Sequence, residues 1–189
     1  ATKDGAVVVE DVKQLDGFTP EQISAAAEAA KTRGMTGKWL ITLQNTTQQP
    51  ALEQLTNREL RQRIFEASAN RGQSGASDTR ETVTKLLALR AEKAKLLGYP
   101  DYASYALAEE TAGTPKEVNR ILNQVAPAAL SKAKTEAAQI QKAIDAEAKA
   151  AKTKSFTLEP WDWAIYANQV RKQEFGFTDA DVKPYFELD

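Results

Sequence analysis

The sequence predicts a mainly α-helical protein: an irregular multi-helix bundle with at most a small β element near its N-terminus. Three observations predict this. Helix-start signals recur along the chain, apolar residues follow them at helical spacing, and only two short runs read as strands, both within the first 43 residues.

Ala6–Val9 and Trp39–Leu43 are those two runs. A helix lies between them, so they are placed to pair, although spacing alone does not set their direction. The helix opens at Thr19-Pro20-Glu21-Gln22, which supplies a cap, a proline at the first helical position and a reciprocal glutamine. Its alanine-rich body ends at Gly34. Gln44–Pro50 and Asn70–Ser77 read as polar loops. Thr56-Asn57-Arg58-Glu59 opens a helix with Leu60, Ile64 and Ala67 along one face. Asp78-Thr79-Arg80-Glu81 opens another, with Val83, Leu86, Leu87, Arg90, Ala94 and Leu97 as its stripe and Gly98 as its stop.

Asp101 caps a shorter helix carrying Tyr102 and Tyr105. Thr114-Pro115-Lys116-Glu117 combines cap, N1 proline and N3 glutamate, opening a helix that reaches about Lys152. Pro127 lies inside it, removes one i→i−4 bond and predicts a kink or break near Ala126. Pro160-Trp161-Asp162 opens a helix through about Glu174, and Thr178–Val182 is a short one stopped by Pro184.

Composition narrows the chemistry. The 189 residues include 32 alanines, no cysteine and no histidine, with 25 basic against 26 acidic side chains. Zero cysteine removes disulfides, thiolate metal sites and cysteine nucleophiles. Zero histidine removes Ser-His-Asp arrangements, imidazole ligands and the side chain best suited to proton transfer near neutral pH. The balanced charge argues against nucleic acid as a partner, and no apolar run is long enough to span a bilayer. The opening residues lack a signal-peptide pattern. The chain opens without methionine and stops at Asp189 just after an aromatic run, so both ends are expected to be chosen boundaries rather than natural termini.

No phosphate-binding glycine motif occurs, and the acid pairs Glu109-Glu110 and Asp179/Asp181 lack the order of a calcium loop. They read as solvated helix charges. The lysines from Lys132 to Lys154 alternate with alanine and acids and read as a solvated face. The most informative feature is aromatic: eight of the 14 aromatic residues lie between Phe156 and Phe186. Most of these rings are expected in a core. Some are expected to face other polypeptide, with Trp161, Trp163 or Tyr166 partly exposed.

Several segments, in order, carry a resemblance: LITLQNTTQQPAL (40–52), NRELRQRIFEAS (57–68), NRGQSGASDTRETV (70–83) and LRAEKAKLLGYPDYASYAL (89–107). TPKEVNRIL (114–122), EPWDWAIYANQVRKQEFGF (159–177) and KPYFEL (183–188) complete the set. Together they resemble the HExxH zinc oligopeptidases related to thimet oligopeptidase and oligopeptidase A, in the dipeptidyl carboxypeptidase (peptidyl-dipeptidase) branch.

The resemblance implies a cytoplasmic parent enzyme that removes dipeptides from the C-terminus of short peptides, using a zinc-activated water. Zinc would be held by an HExxH motif that this sequence does not contain, so no catalytic and no metal-binding residue carries over. The implied reading is residues 1–189 as one helical segment of the non-catalytic lobe walling the substrate channel. Its expected partners are the catalytic portion of its own chain and, through exposed aromatics, a second copy. Trp161, Asp162 and Tyr166 in PWDWAIY are the candidate substrate-binding residues, with helix cap plus core aromatics as the alternative role. The alternative for the whole chain is a self-contained helical interaction module without enzymatic activity.

Overall fold

A computed structural model describes residues 5–177, 179–182 and 185. These fall into two compact units, one formed by residues up to Arg71 with those from Ala137 onward, the other by Gly72–Glu136. The Thr178 start and Pro184 stop of the last helix, the Phe186 ring and most of KPYFEL lie outside the described residues.

The first unit begins with β1 (Val7–Val9), which pairs antiparallel with β2 (Trp39–Ile41), Val8 facing Leu40 across the register. Between them runs α1 (Pro20–Lys31), packed on β2. Its capping box forms as the sequence predicts: Gln22 N–H donates to Thr19 Oγ1 at 3.3 Å, and Thr19 N–H donates to Gln22 Oε1 at 2.8 Å. Gly17, with φ +98°, brings the chain so close to the end of the next helix that an added Cβ would lie 2.0 Å from Gln54 O. That approach lets Asp16 O accept from Thr56 N–H at 3.0 Å.

Gln44–Pro50 is not the loop expected from its polar composition. Residues Asn45–Gln54 form α2, with Pro50 inside the helix and no side-chain cap at Gln44. Tertiary burial overrides the poor local signals. Ala51 and Leu55, four apart, are fully buried among Val9, Leu43, Leu60 and Ile64. The next helix, α3 (Arg58–Ala69), is capped by Asn57, whose Oδ1 accepts from Leu60 N–H at 2.8 Å. Thr56, one residue earlier, instead donates its hydroxyl to Asp16 Oδ2 at 2.8 Å.

In the second unit, α4 (Arg80–Leu96) packs on α5 (Tyr102–Leu107) through Arg90 over the Tyr102 ring and Lys93 over Tyr105. Asp101 Oδ1 accepts from Ser104 N–H at 2.7 Å, the expected cap. Beyond Thr114, α6 (Pro115–Ala151) runs without the break expected at Pro127. One proline deletes a single backbone bond, and the alanine, leucine and lysine that follow are strong helix formers that carry the helix across.

The part of α6 beyond Glu136 belongs to the first unit, where Ile140 and Ile144 pack with Tyr166 of α7 (Trp163–Phe175). At its C-terminus Lys152 takes a left-handed φ of 54°, and Thr153 N–H returns to Ala148 O at 2.9 Å. The extended segment that follows is held by one amide. Gln141 Nε2 donates to Phe156 O at 2.9 Å, and Gln141 Oε1 accepts from Leu158 N–H at 2.8 Å. A short α8 (Asp179–Val182) follows α7.

Candidate functional site

The three candidate residues sit where that extended segment turns into α7. Asp162 occupies the cap position but makes no side-chain cap bond to its own helix. Its carboxylate is fully buried and turned toward α3. Arg58 grips it with Nε at 3.0 and 3.1 Å and Nη2 at 2.8 Å; Arg61 Nη2 reaches it at 2.9 Å. Glu159 N–H adds a contact at 3.2 Å. A carboxylate offers about four lone-pair sites, so these donors occupy Asp162 fully and leave no lone pair for a metal.

Arg61 is itself only 2% exposed. Its remaining donors go to backbone carbonyls: Nε to Trp161 O at 3.1 Å, Nη1 to Leu55 O at 2.8 Å and Thr56 O at 3.0 Å. One guanidinium thus ties together the end of α2, the start of α3 and the turn before α7. The Arg58 guanidinium lies 4.2 Å from the Phe156 ring centroid and 5.7 Å from that of Trp161. Phe65 meets Trp161 edge-on at 6.2 Å. The Trp161 Nε1 atom is buried without a hydrogen-bond partner.

Tyr166 is buried against Ile140, Ile144 and Phe156. Burial, reinforced by the Glu147 carboxylate, pushes its phenol up to about 12. Trp163, the first residue of α7, is 37% exposed and lines a cleft of about 470 Å³ with Ala137, Leu158, Glu159 and Pro160. Phe175, Phe177 and Tyr185 are exposed as well. Of the three candidates, then, Asp162 and Tyr166 are enclosed, and Trp161 is half-buried.

Arg58 and Arg61 are the residues that sequence reasoning missed. A signal existed: Arg61 follows Leu60 and precedes Ile64 by three, which puts it on the inward face of α3. What the sequence does not display is its partner, 101 residues away.

Residues 51–189 match the sequence model of peptidase family M3. The chain belongs to peptidase family M3. Over its whole length it is 43% identical to the dipeptidyl carboxypeptidase of Escherichia coli (strain K12) and 30% identical to a probable cytosolic oligopeptidase A of Arabidopsis thaliana. Oligopeptidase A of Escherichia coli (strain K12) is 29% identical over 98% of the chain. The chain spans about a quarter, 27%, of the length of each of these three M3 relatives. Zinc is the metal the M3 resemblance implies, and the donor set here does not fit it. There is no histidine or cysteine, and among the described residues no three acidic side chains converge on one point. Among the described residues no helix is long and apolar enough to cross a membrane.

Proposed function

We propose that this chain is a non-catalytic helical segment of a cytoplasmic zinc peptidase that hydrolyses short peptides, releasing dipeptides from their C-termini. The observation that carries the reading is the 43% identity to a dipeptidyl carboxypeptidase across all 189 residues. Zinc and the water it activates belong to polypeptide outside this segment, and no chemical step is assigned to residues 1–189. Their role is to form part of the helical wall of the substrate channel. Within that wall Trp161 is the member of the candidate set that meets peptide. Asp162 and Tyr166 act as positioning residues, a division supported by the half-buried indole beside two enclosed side chains.

Two measurements test the proposal. The 189-residue chain, given zinc and a short N-blocked peptide, should bind no stoichiometric metal and release no dipeptide. One zinc per chain by elemental analysis, accompanied by turnover, would overturn it. Reading the gene past Asp189 should reveal an HExxH motif; a stop codon there would favour the self-contained interaction module.

A further inference from the structure

The second unit leaves its best-patterned apolar positions uncovered. On α4, Val83, Leu86 and Leu87 follow helical spacing, yet are 49%, 44% and 59% exposed. On α6, Ile121, Leu122 and Val125 do the same at 42%, 55% and 59%. Scattered exposed leucines need no explanation, but two periodic stripes do, because that period is what a helix uses to bury one face. Elsewhere in the same helix such positions are covered: Ile140 and Ile144 are 3% and 1% exposed.

We propose that each of these two stripes is covered by the remainder of this chain's own polypeptide. Length favours that occupant. The chain aligns end to end with its relatives and accounts for only 27% of each, so nearly three quarters of such a polypeptide lies outside it. The inference rests on the proposed function in one respect, namely that this chain is a segment of a peptidase of that length. It adds which surface of the segment the rest of the polypeptide covers.

The absence of cysteine makes the test direct. Leu86→Cys and Leu122→Cys probe the stripes, and Lys85→Cys and Gln124→Cys probe neighbouring polar positions. Each is placed singly in the 189-residue chain and in the uninterrupted polypeptide, with any cysteine outside residues 1–189 replaced by serine. Maleimide labelling should be fast at all four sites in the short chain. In the long polypeptide it should slow at least tenfold at positions 86 and 122 only. Equal labelling of all four sites in the long polypeptide overturns the inference. So does protection of 86 and 122 in the short chain together with a dimeric mass by light scattering, which would assign the face to a second copy. Dipeptide release by the long polypeptide is read separately: release with unprotected stripes removes the docking surface and keeps the peptidase, and protection without release does the reverse.

Discussion

Arg61 and Asp162 face each other across 2.9 Å, both essentially excluded from solvent, although they lie 101 residues apart in the chain. A buried ion pair is expensive to form but far more expensive to break, since removing one member strands the other in a low-dielectric interior. Asp162→Asn or Arg61→Ala should each destabilise the protein by about 3–5 kcal/mol, measured by urea denaturation. Arg58→Ala should cost less, because the Arg58 side chain is 35% exposed and Arg61 still neutralises the carboxylate. Asp162→Asn combined with Arg61→Ala should fall well short of the sum of the two, the signature of direct coupling.

Gly17 is a second point of intolerance. Its left-handed φ and its approach to Gln54 O leave no room for a methyl group. Gly17→Ala should lower stability by about 2–4 kcal/mol, whereas Gly34→Ala, whose Cβ would meet nothing within 4 Å, should cost only about 1 kcal/mol of backbone strain. Parallel thermal melts would separate the two.

Lys152 holds a left-handed conformation that glycine adopts without strain. Lys152→Gly should therefore stabilise the end of α6 by about 0.5–1 kcal/mol, visible as a raised denaturation midpoint.

Pro127 interrupts the backbone ladder of α6 without ending the helix, and it is exposed. Pro127→Ala restores the missing N–H donor and should raise the stability of the helix by about 1–3 kcal/mol, checked by circular dichroism during heating.

Tyr166 supplies a pH signature. Its phenol is held near 12 in the folded protein, above the ordinary tyrosine value of about 10. A raised folded pKa favours the protonated form. The associated stability is complete below pH ~10 and is lost as pH climbs through ~10 to ~12. Tyr166→Phe should remove the phenol that titrates near pH 12 from the ultraviolet absorbance change and flatten the alkaline loss of stability. Glu147→Gln should move that titration to lower pH, because the Glu147 carboxylate opposes formation of the phenolate.

Three helix starts were legible from their cap residues, whereas the caps expected at Thr56 and Asp78 were displaced by one residue, to Asn57 and to Thr79, the latter without a side-chain bond. Thr19, Asp101 and Thr114 cap as their local sequence indicates, with Gln22, Ser104 and Glu117 supplying the bonded N–H groups. The two strands were legible from their β-branched and aromatic runs, and their antiparallel direction was not. The helix at Asn45–Gln54 was hidden because its stability comes from Ala51 and Leu55 entering a core built by distant segments. Pro127 did not end the helix because the strength of the flanking helix outweighs one missing bond.

By itself the sequence determined the mainly helical class, most helix boundaries and the family, since caps, periodicity and ordered motifs are local properties written along the chain. Its lack of histidine and cysteine likewise kept the familiar metal and nucleophile chemistry out of these residues. Only the tertiary structure decided where Trp161, Asp162 and Tyr166 sit and what they touch. A cap-position aspartate looks the same on paper whether it faces its own helix or two arginines a hundred residues away. The choice falls to the arginines because a buried carboxylate requires full charge and hydrogen-bond compensation, which a helix N-terminus alone does not supply.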